Sequence, residues 1–123
     1  MNLVDSSGWL EFFTDGPLAD KYISYLERLD ELIVPALIIY EVYKKVKKER
    51  SEEDALLAIA HMGKARVVPL DDALALTSAD VSLKHGLSMA DAIIYATALQ
   101  ENAKLITSDK HFCGLKNVVF LKK

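Results

Sequence analysis

Cysteine is nearly missing from this 123-residue chain, and so is any excess of positive charge. The single cysteine, Cys113, excludes an internal disulfide and a cysteine-rich zinc site, and fits a reducing cytosol. No apolar run approaches the roughly 18 residues of a membrane span; the longest lie near Ile33–Tyr40 and Ala92–Leu99. The opening MNLVDSSG meets an acid at Asp5, which leaves no apolar stretch for a signal peptide. A formal net charge of −3 argues against a simple basic nucleic-acid binder, but leaves room for an acidic pocket beside a local basic patch. Repeats, low-complexity tracts and linkers are absent as well. The expectation is one cytoplasmic domain over residues 1–123, long enough to build a core without staples.

Short apolar runs alternate with helical patterns. Asn2–Val4, Leu32–Val34, Arg66–Pro69, Lys104–Thr107 and Val118–Leu121 read as strands, with almost continuous apolar character, as buried parallel strands require. Between them fall helical stretches at Ser6–Phe13, Leu18–Leu29 and Ala36–Arg50. Three more run from Ser51 to Met62, from Asp71 to His85 and over Ser88–Asn102. Tyr22, Ile23, Leu26 and Leu29 make an apolar stripe on the second of these; Ile39, Val42, Tyr43 and Val46 make one on the third. The pattern predicts an α/β fold, a three-layer α/β/α sandwich with a central, mostly parallel five-stranded sheet.

Ser88–Asn102, SMADAIIYATALQEN, has almost no polar face and should be largely buried, yet Asp91 sits in its first turn. A carboxylate entering an apolar interior is costly unless it is hydrogen-bonded, paired or metal-bound. Three further acids recur in comparable places. Asp5 follows the first strand, Glu41 lies one to two turns into the third helix, and Asp109 follows the fourth strand. Each has an ordinary explanation: a capping box with Ser88 for Asp91, an N-cap for Asp5 and Asp109, an (i, i+4) pair with Lys45 for Glu41. Together they fall on one edge, because sites in open α/β sheets lie outside the carboxyl ends of the strands. Four carboxylates meeting there would repel by about 4 kcal/mol per pair at 4 Å in an effective dielectric near 20. Cations relieve that repulsion, and an oxygen-only set selects Mg²⁺ or Mn²⁺.

Val4-Asp5-Ser6-Ser7, Tyr40-Glu41-Val42, Ser88-Met89-Ala90-Asp91-Ala92 and Thr107-Ser108-Asp109-Lys110-His111-Phe112 occur in that order. In this the chain resembles the PIN-domain family of metal-dependent nucleases, and within it the small toxins of the VapC type. The resemblance covers the whole chain. It implies an acidic quartet of Asp5, Glu41, Asp91 and Asp109, with Ser6 or Ser7 and Thr107 as hydroxyls orienting the carboxylates or waters. Many relatives open the Glu-bearing helix with Ser or Thr, whereas this chain has Pro35-Ala36-Leu37, and Pro is tolerated at a first helical position.

The resemblance further implies a Mg²⁺- or Mn²⁺-dependent endoribonuclease that leaves 5′-phosphate and 3′-hydroxyl ends on an RNA substrate such as tRNA. Asp5 and Asp91 would be direct ligands, Asp109 would support a second ion, and Glu41 would bind through water or act as a base. It implies a small antitoxin protein as inhibitor and a homodimer. Lys44, Lys45 and Lys48 are the candidate contacts to RNA phosphates, although cations at a helix C-terminus also complement its dipole. Arg66, Lys104, Lys110 and Lys116 are scattered alternatives, and His61 and His85 read as partners of helix C-termini. A hard-ion site has little use for imidazole, so His111 is left out of the ligand set. Trp9, Phe12 and Phe13 read as core or dimer contacts. Two alternatives remain: a catalytically silent PIN-fold scaffold, and a receiver-type phosphoacceptor domain, which expects an acidic pair at the end of the first strand.

Overall fold

The computed structural model describes residues 1–122. Its elements run β1 (Asn2–Val4), α1 (Ser6–Thr14), α2 (Ala19–Leu26), β2 (Leu32–Pro35), α3 (Ala36–Glu49) and α4 (Glu52–Met62). They continue with β3 (Arg66–Val68), α5 (Asp72–His85), α6 (Met89–Gln100), β4 (Lys104–Thr107) and β5 (Val118–Phe120). Single 3₁₀ turns occupy Leu29–Glu31 and Lys110–Phe112. The five strands pair in the order β3-β2-β1-β4-β5, and every pairing is parallel. This order differs from the 2-1-3-4-5 order of receiver folds, and the receiver alternative falls with it.

Successive residues of a strand point to opposite faces of its sheet. Leu3 and Val4, Leu32 to Val34, and Leu105 with Ile106 are all fully buried, so both faces of the central strands are covered. Helices therefore flank the sheet in three layers, as the near-continuous apolar strands predict. The outer strands differ: Arg66 and Val67 of β3 are exposed, and β5 is only half-buried. Because β1 lies between β2 and β4, the chain reverses its winding there, and the switch point falls between β1 and β4.

Three local expectations need correction. The second helix stops at Leu26; Arg28 leaves helical geometry, and Leu29 reaches the core from its own 3₁₀ turn, while Ile23 stays partly exposed. The fully turned-in row of α3 is Ile38, Val42 and Val46, with Ile39 and Tyr43 at its margin, so Ile38 belongs to the core face. Pro35 is the N-cap of α3 and the last residue of β2, one place before the expected first helical position. Its missing N–H is harmless at that point, because the first turn of a helix leaves its amides unpaired anyway.

Candidate active site

α3 leaves β2 directly through Pro35, so its first turns stand at the carboxyl edge of the sheet. α6 enters β4 through the Glu101–Ala103 turn, which puts its own first turn at the edge where β4 ends. The ends of β1 and β4 are neighbours. The topology thus carries Asp5, Glu41, Asp91 and Asp109 to one edge, at the switch point.

Asp5 is the innermost of the four, 4% exposed. It does cap α1, accepting from the Gly8 N–H at 3.0 Å, but its carboxylate also takes the Ser7 hydroxyl at 2.9 Å and the Thr107 hydroxyl at 2.5 Å. Thr107 in turn accepts the Asp109 N–H at 3.0 Å, so one buried hydroxyl ties the end of β1 to the turn after β4. Close approach of α1 makes this possible. A Cβ on Gly8 would stand 2.4 Å from Val4 Cγ1 and 2.6 Å from Tyr22 Cε1. Tyr22, read from the sequence only as part of a core stripe, donates its hydroxyl to Ser108 Oγ at 2.9 Å and steadies the same turn.

The ordinary explanations for Glu41 and Asp91 do not hold. Lys45 pairs with Glu49 at 3.0 Å rather than with Glu41. Glu41 Oε1 is buried without any hydrogen-bond partner. The Ser88 hydroxyl caps α6 at the Asp91 N–H, while the Asp91 carboxylate turns to His111, with Oδ2 and Nδ1 3.0 Å apart. Asp109 caps the Lys110–Phe112 turn through the His111 N–H at 2.9 Å, and its Oδ1 lies 3.4 Å from the same ring nitrogen. Asp91, Asp109 and His111 each present one ligand atom within 4.8 Å of the others. Asp5 and Glu41 stand outside that tight group but within its field.

Burial pushes the Asp5 carboxyl above the usual range despite its donors, and the charge of Asp109 adds to the rise. Burial likewise raises Glu41; the nearby Ser6 hydroxyl offsets part of the rise, and the charges of Asp91 and Asp5 add to it. Two carboxyls pushed up by burial and neighbouring charge, with a buried oxygen left unpaired, suit an oxygen-rich cation site. The residues present fit a divalent ion.

Beside Glu41 opens a cleft lined by Ser6, Tyr40, Lys44, Lys45 and Lys48, so the lysines expected to meet phosphates share one wall with an acid of the site. Arg66 and Lys104 begin β3 and β4 and so lie at the opposite edge of the sheet, where Arg66 pairs with Glu101 at 2.7 Å. His61 packs on Phe12 and Phe13 at 5.6 and 5.9 Å between ring centroids, and Trp9 is fully buried.

The family model for the PIN domain matches residues 3–118. The chain belongs to the PIN domain family. No curated protein sequence matches it. Its fold is similar to a toxin–antitoxin complex from Klebsiella pneumoniae at 22% identity and a TM-score of 0.85, covering 100% of both chains. It is similar also to the sarcin–ricin-loop-cleaving toxin VapC20 of Mycobacterium tuberculosis, with 14% identity, a TM-score of 0.79 and coverage of 100% and 98%. A third similar structure is VapBC2 of Rickettsia felis bound to a DNA fragment from its promoter, with 17% identity, a TM-score of 0.75 and coverage of 98% and 97%.

Within this PIN fold the hydroxyls expected from the sequence, Ser6, Ser7 and Thr107, all stand beside site carboxylates. His111 is the residue that sequence reasoning set aside. The signal for it was present: two residues after an acid that follows a parallel strand, a side chain on a tight turn returns toward that acid.

Proposed function

We propose that this chain is a divalent-metal-dependent endoribonuclease and the toxin component of a toxin–antitoxin pair, acting as one nuclease domain over residues 1–123 in the cytoplasm. The observation that carries the metal-dependent reading is the partnerless, buried Glu41 Oε1 beside Asp5, two acids whose pKa burial and neighbouring charge push up at the switch point. Asp5, Glu41, Asp91 and Asp109 would hold Mg²⁺ or Mn²⁺. Such an ion acidifies a bound water and offsets the charge of a phosphodiester.

The chain's own residues have separable parts in this reading. Thr107, Ser7 and the Gly8 amide lock the Asp5 carboxylate in one orientation and offset part of the rise that burial imposes on its pKa. Glu41 would bind the ion through a water or serve as the base. Lys44, Lys45 and Lys48 hold phosphates on the flank of the scissile bond and supply the positive charge that the acids lack. An antitoxin partner is supported by neighbours that are toxin–antitoxin complexes. A homodimer is supported by exposed Leu70 and Met89 at an apolar cleft between α5 and α6, and by exposed Leu76 and Leu83 on α5.

The test compares wild type with Asp91→Asn, freed of any co-purified inhibitor, on end-labelled tRNA and total RNA with Mg²⁺, Mn²⁺ or EDTA. Cleavage that requires the ion, leaves 5′-phosphates and disappears in Asp91→Asn is the expected result. A wild-type chain that neither binds nor is stabilised by either ion would leave a scaffold role instead.

A further inference from the structure

His111 is exposed, yet its ring turns inward to the acids. Its side chain is 71% exposed, yet the ring is held over two carboxylates instead of extending into water. The backbone enforces this. The His111 N–H is tied to Asp109 Oδ1 at 2.9 Å, and Phe112 beside it is buried in the core. Clefts open on both sides of the ring, one lined by His85, Ser88 and Asp91, the other by Ser108, Asp109 and Lys110.

The two distances from the ring nitrogen suit donors of one ion. Adjacent donors around an octahedral ion with bonds of about 2.1 Å stand about 3.0 Å apart, and opposite donors about 4.2 Å. Nδ1 lies 3.0 Å from Asp91 Oδ2 and 3.4 Å from Asp109 Oδ1, and the three ligand atoms stay within 4.8 Å of one another. Glu41 Oε1, buried without a hydrogen-bond partner, lies on the same edge.

We propose that His111 Nδ1 is a nitrogen donor to the divalent ion shared by Asp91 and Asp109, and that it tilts this site from Mg²⁺ toward Mn²⁺. The inference rests on the metal-dependent reading above and adds a donor outside the acidic quartet. Mg²⁺ prefers oxygen and keeps its waters, whereas imidazole suits transition ions, so one nitrogen in the set changes the ranking of the two metals.

Metal-stripped wild type, His111→Ala, His111→Asp and Asp91→Asn are titrated separately with Mg²⁺ and Mn²⁺ by calorimetry. The Mn²⁺-loaded samples are then examined by pulsed EPR. Wild type should show imidazole ¹⁴N modulation that is absent from His111→Ala. That variant should lose about tenfold or more in Mn²⁺ affinity, with a smaller loss for Mg²⁺ and an unchanged metal-free melting temperature. His111→Asp, with an oxygen in place of the nitrogen, should bind both ions without the Mn²⁺ preference. Mn²⁺ bound to wild type with no imidazole coupling overturns the proposal. So does an equal loss for both ions, which would make His111 only a hydrogen-bond partner of Asp91. If Asp91→Asn abolishes binding while His111→Ala changes nothing, the metal-dependent reading stands and this inference fails. A wild type that binds neither ion removes both.

Discussion

The acidic edge has two halves built on different terms. The inner half is Asp5: almost fully buried, gripped by donors from α1 and β4, with the Gly8 approach leaving no slack. The outer half is Asp91, Asp109 and His111: partly exposed, on one helix turn and one 3₁₀ turn, held mainly by one another. A buried carboxylate costs less when its hydrogen bonds are already made, and those bonds also remove its freedom. An exposed one keeps its solvation and its mobility. The difference separates a part of the acidic edge set by folding from a part open to solvent.

That contrast is sharpest for cleavage. Asp5→Asn and Asp91→Asn should each cost roughly a thousandfold in kcat, since several kcal/mol of charge stabilisation is at stake; single-turnover assays on a cleaved RNA measure it. Only the inner substitution should also change the urea midpoint of the metal-free chain. Equal effects on stability would erase the distinction between the halves. Thr107→Val probes the grip itself. It leaves Asp5 Oδ2 and the Asp109 N–H without their partner, and should destabilise the fold by about 1–3 kcal/mol. Gly8→Ala should cost a similar amount, about 1–3 kcal/mol for overpacking against Val4 and Tyr22. Both are read by chemical denaturation, and the matching change at the outer half, His111→Ala, should leave the midpoint where it was.

Removing the lysines tests a third region against both halves. Replacing Lys44, Lys45 and Lys48 with Ala should weaken RNA binding and flatten its dependence on salt, by about one unit of logarithmic slope for each phosphate no longer held. Ion affinity should not follow. The smallest effect concerns charge alone. Glu41 has a folded pKa raised above its ordinary value of 4.5, so the native chain holds that proton more tightly than the unfolded chain does. The stabilisation that this gives is complete below the unfolded pKa and is lost as pH rises through the folded one. Glu41→Gln should therefore be more stable than the metal-free wild type at neutral pH, by a few degrees in Tm, with the gap opening as pH rises above 4.5. Saturating Mn²⁺ should close the gap.

Much of the fold was readable because its signals are local. Ser51, Asp71 and Ser88 cap their helices as their spacing indicates, and Gly86 ends α5 in a left-handed conformation. The position of each acid relative to its strand or helix followed from the same punctuation. The end of α2 did not: Leu29 fits the helical stripe by spacing, but the chain has to turn there to enter β2. The face of α3 was blurred because Leu37, Ile38 and Ile39 are all apolar, and only packing against its neighbours selects Ile38.

The sequence by itself determined the alternation of strands and helices, the family, and the acids at the ends of the elements, since each is written in residues a few positions apart. Only the tertiary structure decided how those acids meet. The hydroxyl of Thr107 reaches Asp5 across 102 positions, and His111 reaches Asp91 across 20. Whether Lys45 answers Glu41 or Glu49 depends on which of two equally spaced acids turns inward. Periodicity places a side chain on a face. Its partner on another element is chosen by packing and by the cost of leaving a buried polar atom alone.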